Sequence, residues 1–205
     1  MTIYLYDGDL PSGLDFGSSV AVDTETMGLN PIRDRLCLVQ LSSGDGNAHL
    51  VQFKKGSYYN APNLKTLMAN PNVTKIFHYA RFDLAVMKKY LNIIATPCYC
   101  TKIVSRLVRT STDRHGLKNL CKDLIDVDLS KQQQTSDWGV DRLSEAQQEY
   151  AASDVLYLHK LKEILEDLLD REGRRELAQT MFEFLPTRAE LDLLGWADVD
   201  LFNHS

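Results

Sequence analysis

Two carboxylates stand one residue apart at the end of an apolar run, Val20-Ala21-Val22-Asp23-Thr24-Glu25-Thr26. Side chains on a strand alternate between faces, so Asp23 and Glu25 project to the same side. Two like charges on a half-buried face need a cation between them, and a divalent metal is the strongest candidate. Taken alone the pair could equally be the polar end of a strand, and Asp170 and Glu172 have the same spacing at a helix end with no chemistry implied. A further acid, Asp83, follows Lys75-Ile76-Phe77-His78-Tyr79-Ala80-Arg81-Phe82, which reads as a strand ending in a polar turn that opens a helix. Ligands gather where strands end and helices begin, and His78 in that turn is a candidate contact. An acid in a first helical turn also complements the helix dipole, so Asp83 has a purely structural alternative. Asp154 lies four residues after Tyr150 inside a helical stretch, which places phenol and carboxylate one turn apart on one face.

Four acids drawn from a strand, a helix start and a helix interior suit a cluster assembled by folding. Oxygen-only ligation without histidine or thiol selects hard Mg²⁺ or Mn²⁺ over zinc. Two such ions about 3.5–4 Å apart can clamp a scissile phosphate, with Tyr150 orienting the water.

The elements that must position these residues follow from periodicity and turn signals. Strands are predicted at 19–23, 36–42, 48–53 and 73–77. Helices are predicted at 64–69 with Asn63 as cap, and at 80–91, 101–108 and 117–125. A continuous helix over 144–171 opens with Ser144 and an acidic, polar first turn. A last helical pair covers about 172–194, broken at Pro186 and stopped at Gly195. Strands with interspersed helices followed by helices alone predict an α/β protein with a mixed sheet between helices.

The chain has 205 residues, 44% of them hydrophobic and 25% charged, the balance of a globular protein. No apolar run is long enough to span a bilayer, and the first ten residues include Asp7 and Asp9, unlike a secretory signal. Cys37, Cys98, Cys100 and Cys121 lack the C-x-x-C spacing of zinc or redox pairs, so a reduced, cytoplasmic protein is expected. With 23 Lys and Arg against 28 Asp and Glu, the net charge of -5 argues against a duplex-coating protein. The basic stretch Lys102, Arg106, Arg109, Arg114 and Lys118 could cap a 5′-phosphate or simply form a solvated face.

Asp23-Thr24-Glu25, the Phe82-Asp83 step after an apolar strand, and Tyr150-x-x-x-Asp154 resemble, in order and setting, the three motifs of the DEDD superfamily of 3′-to-5′ exonucleases. Gln134-Thr135-Ser136-Asp137-Trp138, Leu143-Ser144-Glu145 and Glu149-Tyr150-Ala151-Ala152-Ser153-Asp154 are similar to the ribonuclease D branch. The sister subclass has histidine where Glu149 stands, and Tyr150 marks the tyrosine subclass. The resemblance runs over about 20–165. Ribonuclease D carries helical RNA-binding domains after its catalytic domain, for which this chain has no room. Its length, Asp113-Arg114-His115-Gly116-Leu117-Lys118 and Leu193-Leu194-Gly195-Trp196 are most similar to the compact bacterial nanoRNase C family, which cuts dinucleotides at the end of RNA decay.

The resemblance implies a ribonuclease H-like exonuclease fold forming a single domain over 1–205. It implies that Asp23, Glu25, Asp83 and Asp154 hold two Mg²⁺ or Mn²⁺ ions and that Tyr150 positions water. Leu29 matches an apolar wedge against bases and Met27 lines the terminal nucleotide, with Thr26, His78 and Trp138 as further substrate contacts. The implied reaction cuts very short RNA, dinucleotides above all, from the 3′ end to nucleoside 5′-monophosphates. The alternatives are a broader exonuclease on longer RNA or DNA 3′ ends and a non-catalytic dinucleotide-binding module; the complete acid set and Tyr150 oppose the latter. The family forms ring-shaped octamers built from dimers, so the apolar segment 196–205 and the helices before it are expected at an interface.

Overall fold

The computed structural model describes residues 1–130 and 132–204, so the last residue of the segment 196–205 lies outside the described residues. Six strands, β1 (Ile3–Asp7), β2 (Ser19–Thr26), β3 (Leu36–Ser42), β4 (Ala48–Gln52), β5 (Thr74–Phe77) and β6 (Cys98–Cys100), form one sheet in the order β1-β4-β3-β2-β5-β6. β3 runs antiparallel to both its neighbours and the remaining pairs are parallel. The expected mixed sheet is therefore present. β3 is buried along its whole length, as a strand covered on both faces must be, which explains why it is apolar but for Gln40 and Ser42.

Seven helices surround the sheet: α1 (Pro62–Ala69), α2 (Ala80–Leu91), α3 (Thr101–Val108), α4 (Leu117–Ile125), α5 (Glu145–Leu156), α6 (Leu158–Arg171) and α7 (Arg175–Leu191). Among the described residues no helix is long and apolar enough to cross a membrane. All four cysteines are free and buried.

Several boundaries differ from expectation for physical reasons. β1 and β6 were not anticipated: β6 has three residues, too few for a period to register, and β1 is an edge strand with a largely exposed pattern. α1 starts at Pro62, not after an Asn63 cap. Its first orphan amides, those of Asn63 and Leu64, donate to the Asp9 carboxylate at 3.0 and 2.9 Å, from far away in sequence. The stretch 144–171 is two helices that meet at Tyr157, because α5 lies over β3 and β4 whereas α6 packs against α3 and α4. α7 continues through Pro186, held by the buried side chains Phe182, Leu185 and Ala189 on either side of it.

The last turn, Asp192–Trp196, ends at Gly195 with φ of 102°, a conformation open to glycine. Buried Asp192 accepts from Arg81 Nη2 at 2.7 Å and forms an ion pair with Arg188 Nη2 at 2.8 Å. Both guanidiniums also reach the Ala197 carbonyl, at 2.6 and 2.9 Å. The C-terminal turn is thereby tied to the first turn of α2.

Candidate active site

β2 carries Asp23 and Glu25 out of the core on the face the period predicted. One carboxylate oxygen each from Asp23, Glu25 and Asp154 lie within 4.8 Å of one another. Asp83 lines the same cavity, of about 800 Å³, and is buried, with Thr24 donating its hydroxyl proton to Asp83 Oδ1 at 2.7 Å. That bond ties α2 to β2 between the two strand acids. Gln40, opposite Asp23 on β3, reaches Asp23 Oδ2 from Nε2 at 3.4 Å. α5 brings the other pair. Ser144 caps it with a full capping box, its Oγ accepting from the Gln147 amide at 3.2 Å while Gln147 Oε1 accepts from the Ser144 amide at 3.0 Å. This fixes the rotation at which Tyr150 and Asp154 meet the cavity.

Burial first, and the neighbouring charges second, push these carboxyls up. Asp23 is raised to about 7, chiefly by burial. Glu25 is raised to about 10 by burial and by the charges of Asp23, Asp154 and Asp83. Asp83 and Asp154 also stand well above the usual range, by burial and the charge of Asp23. Burial and the charge of Asp154 keep the Tyr150 phenol protonated. Four acids that cannot ionise together without help, all oxygen donors, fit divalent cations.

The proposed pocket residues divide into groups. Met27 and Leu29 line the cavity and are exposed, Leu29 to 89%. Their loop is tightly shaped: a Cβ on Gly28 would collide with the Asp34 carboxylate, and one on Gly139 would collide with Met27 Sδ. Thr26 is buried and spends its hydroxyl proton on the Gly28 carbonyl, so it shapes the loop. Trp138 lines the cavity but is buried beside Leu143, with its ring 6.0 Å from Tyr150. Its indole N–H has no partner among the described residues.

His78 has a defined role at one nitrogen. The Thr101 hydroxyl donates to the Phe77 carbonyl at 3.1 Å, so at 2.9 Å its oxygen accepts from His78 Nδ1. Burial pushes the imidazole down to about 3, leaving it neutral, and Nε2 is a buried acceptor without a partner. His78 suits a hydroxyl or amide donor rather than a phosphate.

Sequence reasoning missed Tyr79. It has φ of 75° at the N-terminus of α2, a left-handed conformation costly for a non-glycine residue. Its exposed ring lies under the Lys102 ammonium, 4.4 Å from the centroid, and both line the cavity. Of the basic stretch, Lys102 and Lys118 line this cavity, whereas Arg109 and Arg114 are both paired with Asp123, at 2.6 and 2.9 Å.

Comparison with known proteins identifies the family and the fold. Residues 10–170 match the family model of the 3′-5′ exonuclease. Ribonuclease D of Gluconacetobacter diazotrophicus is 34% identical over 155 residues, which are 76% of this chain and 39% of that protein. The chain thus spans about two fifths of that relative's length. Brucella melitensis NrnC with bound Mg²⁺ superposes with a TM-score of 0.95 and 54% identity, and NrnC bound to pGG with 0.96 and 55%, each over 100% of both chains. The fold is the ribonuclease H-like exonuclease fold. On these grounds the chain belongs to the 3′-5′ exonuclease family, in the group of NrnC.

Proposed function

We propose that this chain is a metal-dependent exoribonuclease that hydrolyses very short RNA, dinucleotides above all, from the 3′ end to nucleoside 5′-monophosphates. The observation that carries the reading is the meeting of Asp23, Glu25, Asp83, Asp154 and Tyr150 on one cavity of about 800 Å³ with exposed Leu29 at its edge. The full-length likeness to an NrnC bound to pGG supports the short substrate.

In this reading Asp23, Glu25, Asp83 and Asp154 hold two divalent ions, Mg²⁺ or Mn²⁺. Such ions neutralise charge at a scissile phosphate and lower the pKa of water. Tyr150, protonated, donates to and orients the attacking water. The water gives up a proton as its oxygen bonds to phosphorus, the bond to the upstream 3′-oxygen breaks, and that oxygen takes up a proton and leaves as a hydroxyl. Thr24 holds Asp83 and Gln40 holds Asp23, which keeps the acids in register with α5. Leu29 wedges against the bases, Met27 lines the terminal nucleotide, and His78 Nε2 accepts from a substrate hydroxyl or amide. Trp138 offers its free indole N–H, while Thr26 acts through the loop. Tyr79 and Lys102 meet the 5′-terminal phosphate of the dinucleotide.

Residues 1–205 act as one exonuclease domain in the cytoplasm, assembled as a homo-octamer built from dimers. Exposed Leu194, Val199 and Leu201 in the last turns, and Tyr4 and Leu5 on the edge strand, support such assembly. Single-turnover assays on a labelled diribonucleotide and a labelled ten-mer, each with Mg²⁺, Mn²⁺ or EDTA, test the reading. Fast metal-dependent loss of the dinucleotide beside a slow ten-mer is expected. Equal or faster trimming of the ten-mer would instead make this a general exonuclease on longer 3′ ends.

A further inference from the structure

Tyr79 and Lys102 also wall a second cavity, of about 460 Å³, that adjoins the first between α3 and α7. Its apolar lining includes Ile103, Met181, Phe184 and Phe202. Every charged residue on it is a cation, in a chain whose net charge is -5. Arg81 and Arg188 share the single carboxylate of Asp192. Lys102 and Arg106, one turn apart on α3, have no acidic partner among the described residues, and burial and the charge of Arg106 push the Lys102 ammonium down. Two cations that repel each other on an apolar wall favour an anion between them. Arg188 adds a buried Nε with no hydrogen-bond partner among the described residues.

The walls specify the rest of the ligand. Phe184 and Phe202 are exposed with ring centroids 6.4 Å apart, the kind of aromatic surface on which a base stacks. The volume falls in the lower part of the range of small-molecule sites, about 300–1,000 Å³, and is little more than half that of the catalytic cavity. Where the larger cavity suits two nucleotides, this one suits one. No carboxylate lines it, so it lacks the oxygen donors that the catalytic acids offer a Mg²⁺ or Mn²⁺ ion.

We propose that this second cavity binds one free nucleoside 5′-monophosphate without metal, its phosphate at Arg106 and Lys102 and its base on Phe184 and Phe202. The inference rests on the proposed reaction for its physiological source, because such nucleotides are that reaction's products. A product held beside the Tyr79 and Lys102 wall would oppose entry of the next substrate, which is product inhibition from outside the catalytic cavity.

The test is calorimetric titration of the full chain with GMP in EDTA. Saturable binding is expected, and Phe184→Ala and Arg106→Glu should each weaken it roughly ten- to hundredfold. Both residues are exposed enough for the fold to tolerate the change, which an unaltered thermal midpoint would verify. Phe184→Ala should retain dinucleotide turnover in Mg²⁺ while losing inhibition by added GMP. Absence of GMP binding in EDTA, or unchanged binding in both variants, would overturn the proposal. So would a Met181→Glu variant whose particle mass falls while GMP binding persists, since the cavity would then be an interface between copies. Failure of the parent to hydrolyse dinucleotide would sink the proposed reaction but leave the GMP readout intact.

Discussion

Asp83 separates catalysis from stability. It is buried, its carboxyl is held well above the usual range, and its one firm neutral partner is Thr24. Asp83→Ala should abolish hydrolysis, yet cost at most the ~1 kcal/mol of a single hydrogen bond, because it also removes a repelled acid. Steady-state turnover and a urea melt in EDTA check both halves; retained turnover in scrupulously pure protein would remove Asp83 from the ion-binding set. Asp23 gives a second, pH-dependent expectation. Its folded value of about 7 exceeds the ordinary aspartate value of 3.8, so the metal-free protein enjoys that contribution fully below the lower value. The contribution is lost as pH rises through about 7, where the folded state must also ionise. A bound cation competes with that proton. Apparent Mg²⁺ affinity should therefore climb with pH through about 7 and on towards about 10, where Glu25 also ionises, with protons released on binding. Calorimetry in buffers of differing ionisation enthalpy measures the release, and a pH-independent affinity with no release would contradict the burial argument.

The elements hold these residues through a few long-range ties. The clearest is Asp192, whose one carboxylate pairs with both Arg81 in the first turn of α2 and Arg188 on α7. Asp192→Ala leaves two partly buried guanidiniums without their carboxylate, and should lower stability by about 2–3 kcal/mol. Because Arg81 precedes Asp83 by two residues, turnover at a temperature where the variant is fully folded should fall as well. An unchanged denaturation midpoint would show that the C-terminal turn is dispensable to α2. Much of this scale was legible in the sequence: the period of β2 placed Asp23 and Glu25 together, Ser144 marked the start of α5, and i, i+4 spacing paired Tyr150 with Asp154. What escaped depends on partners distant in the chain. Asp9 caps α1, the α5–α6 break reflects packing on different layers without any glycine or proline at Tyr157, and Pro186 is tolerated because its neighbours are buried. The left-handed Tyr79 left no mark, since a non-glycine residue at positive φ is selected by the site and not by its own preference.

At the scale of the whole molecule, charge decides between substrates. The chain carries a net charge of -5, and among the basic stretch only Lys102 and Lys118 line the catalytic cavity, with Lys118 itself 3.7 Å from Asp128. Arg109 and Arg114 are absorbed by Asp123 and offer no track for a longer backbone. A protein that binds single strands by neutralising Z phosphates loses affinity with salt at a logarithmic slope of about -0.7Z. Two phosphate contacts then give a slope of about -1.4, or roughly a sevenfold loss between ~50 and ~200 mM monovalent salt. Dinucleotide affinity, measured with Ca²⁺ in place of Mg²⁺ to prevent turnover, should follow that shallow line. A slope several times steeper, or a ten-mer that binds far more tightly at low salt, would mean that assembled subunits build a basic path absent from one chain, and the preference for very short RNA would have to be abandoned.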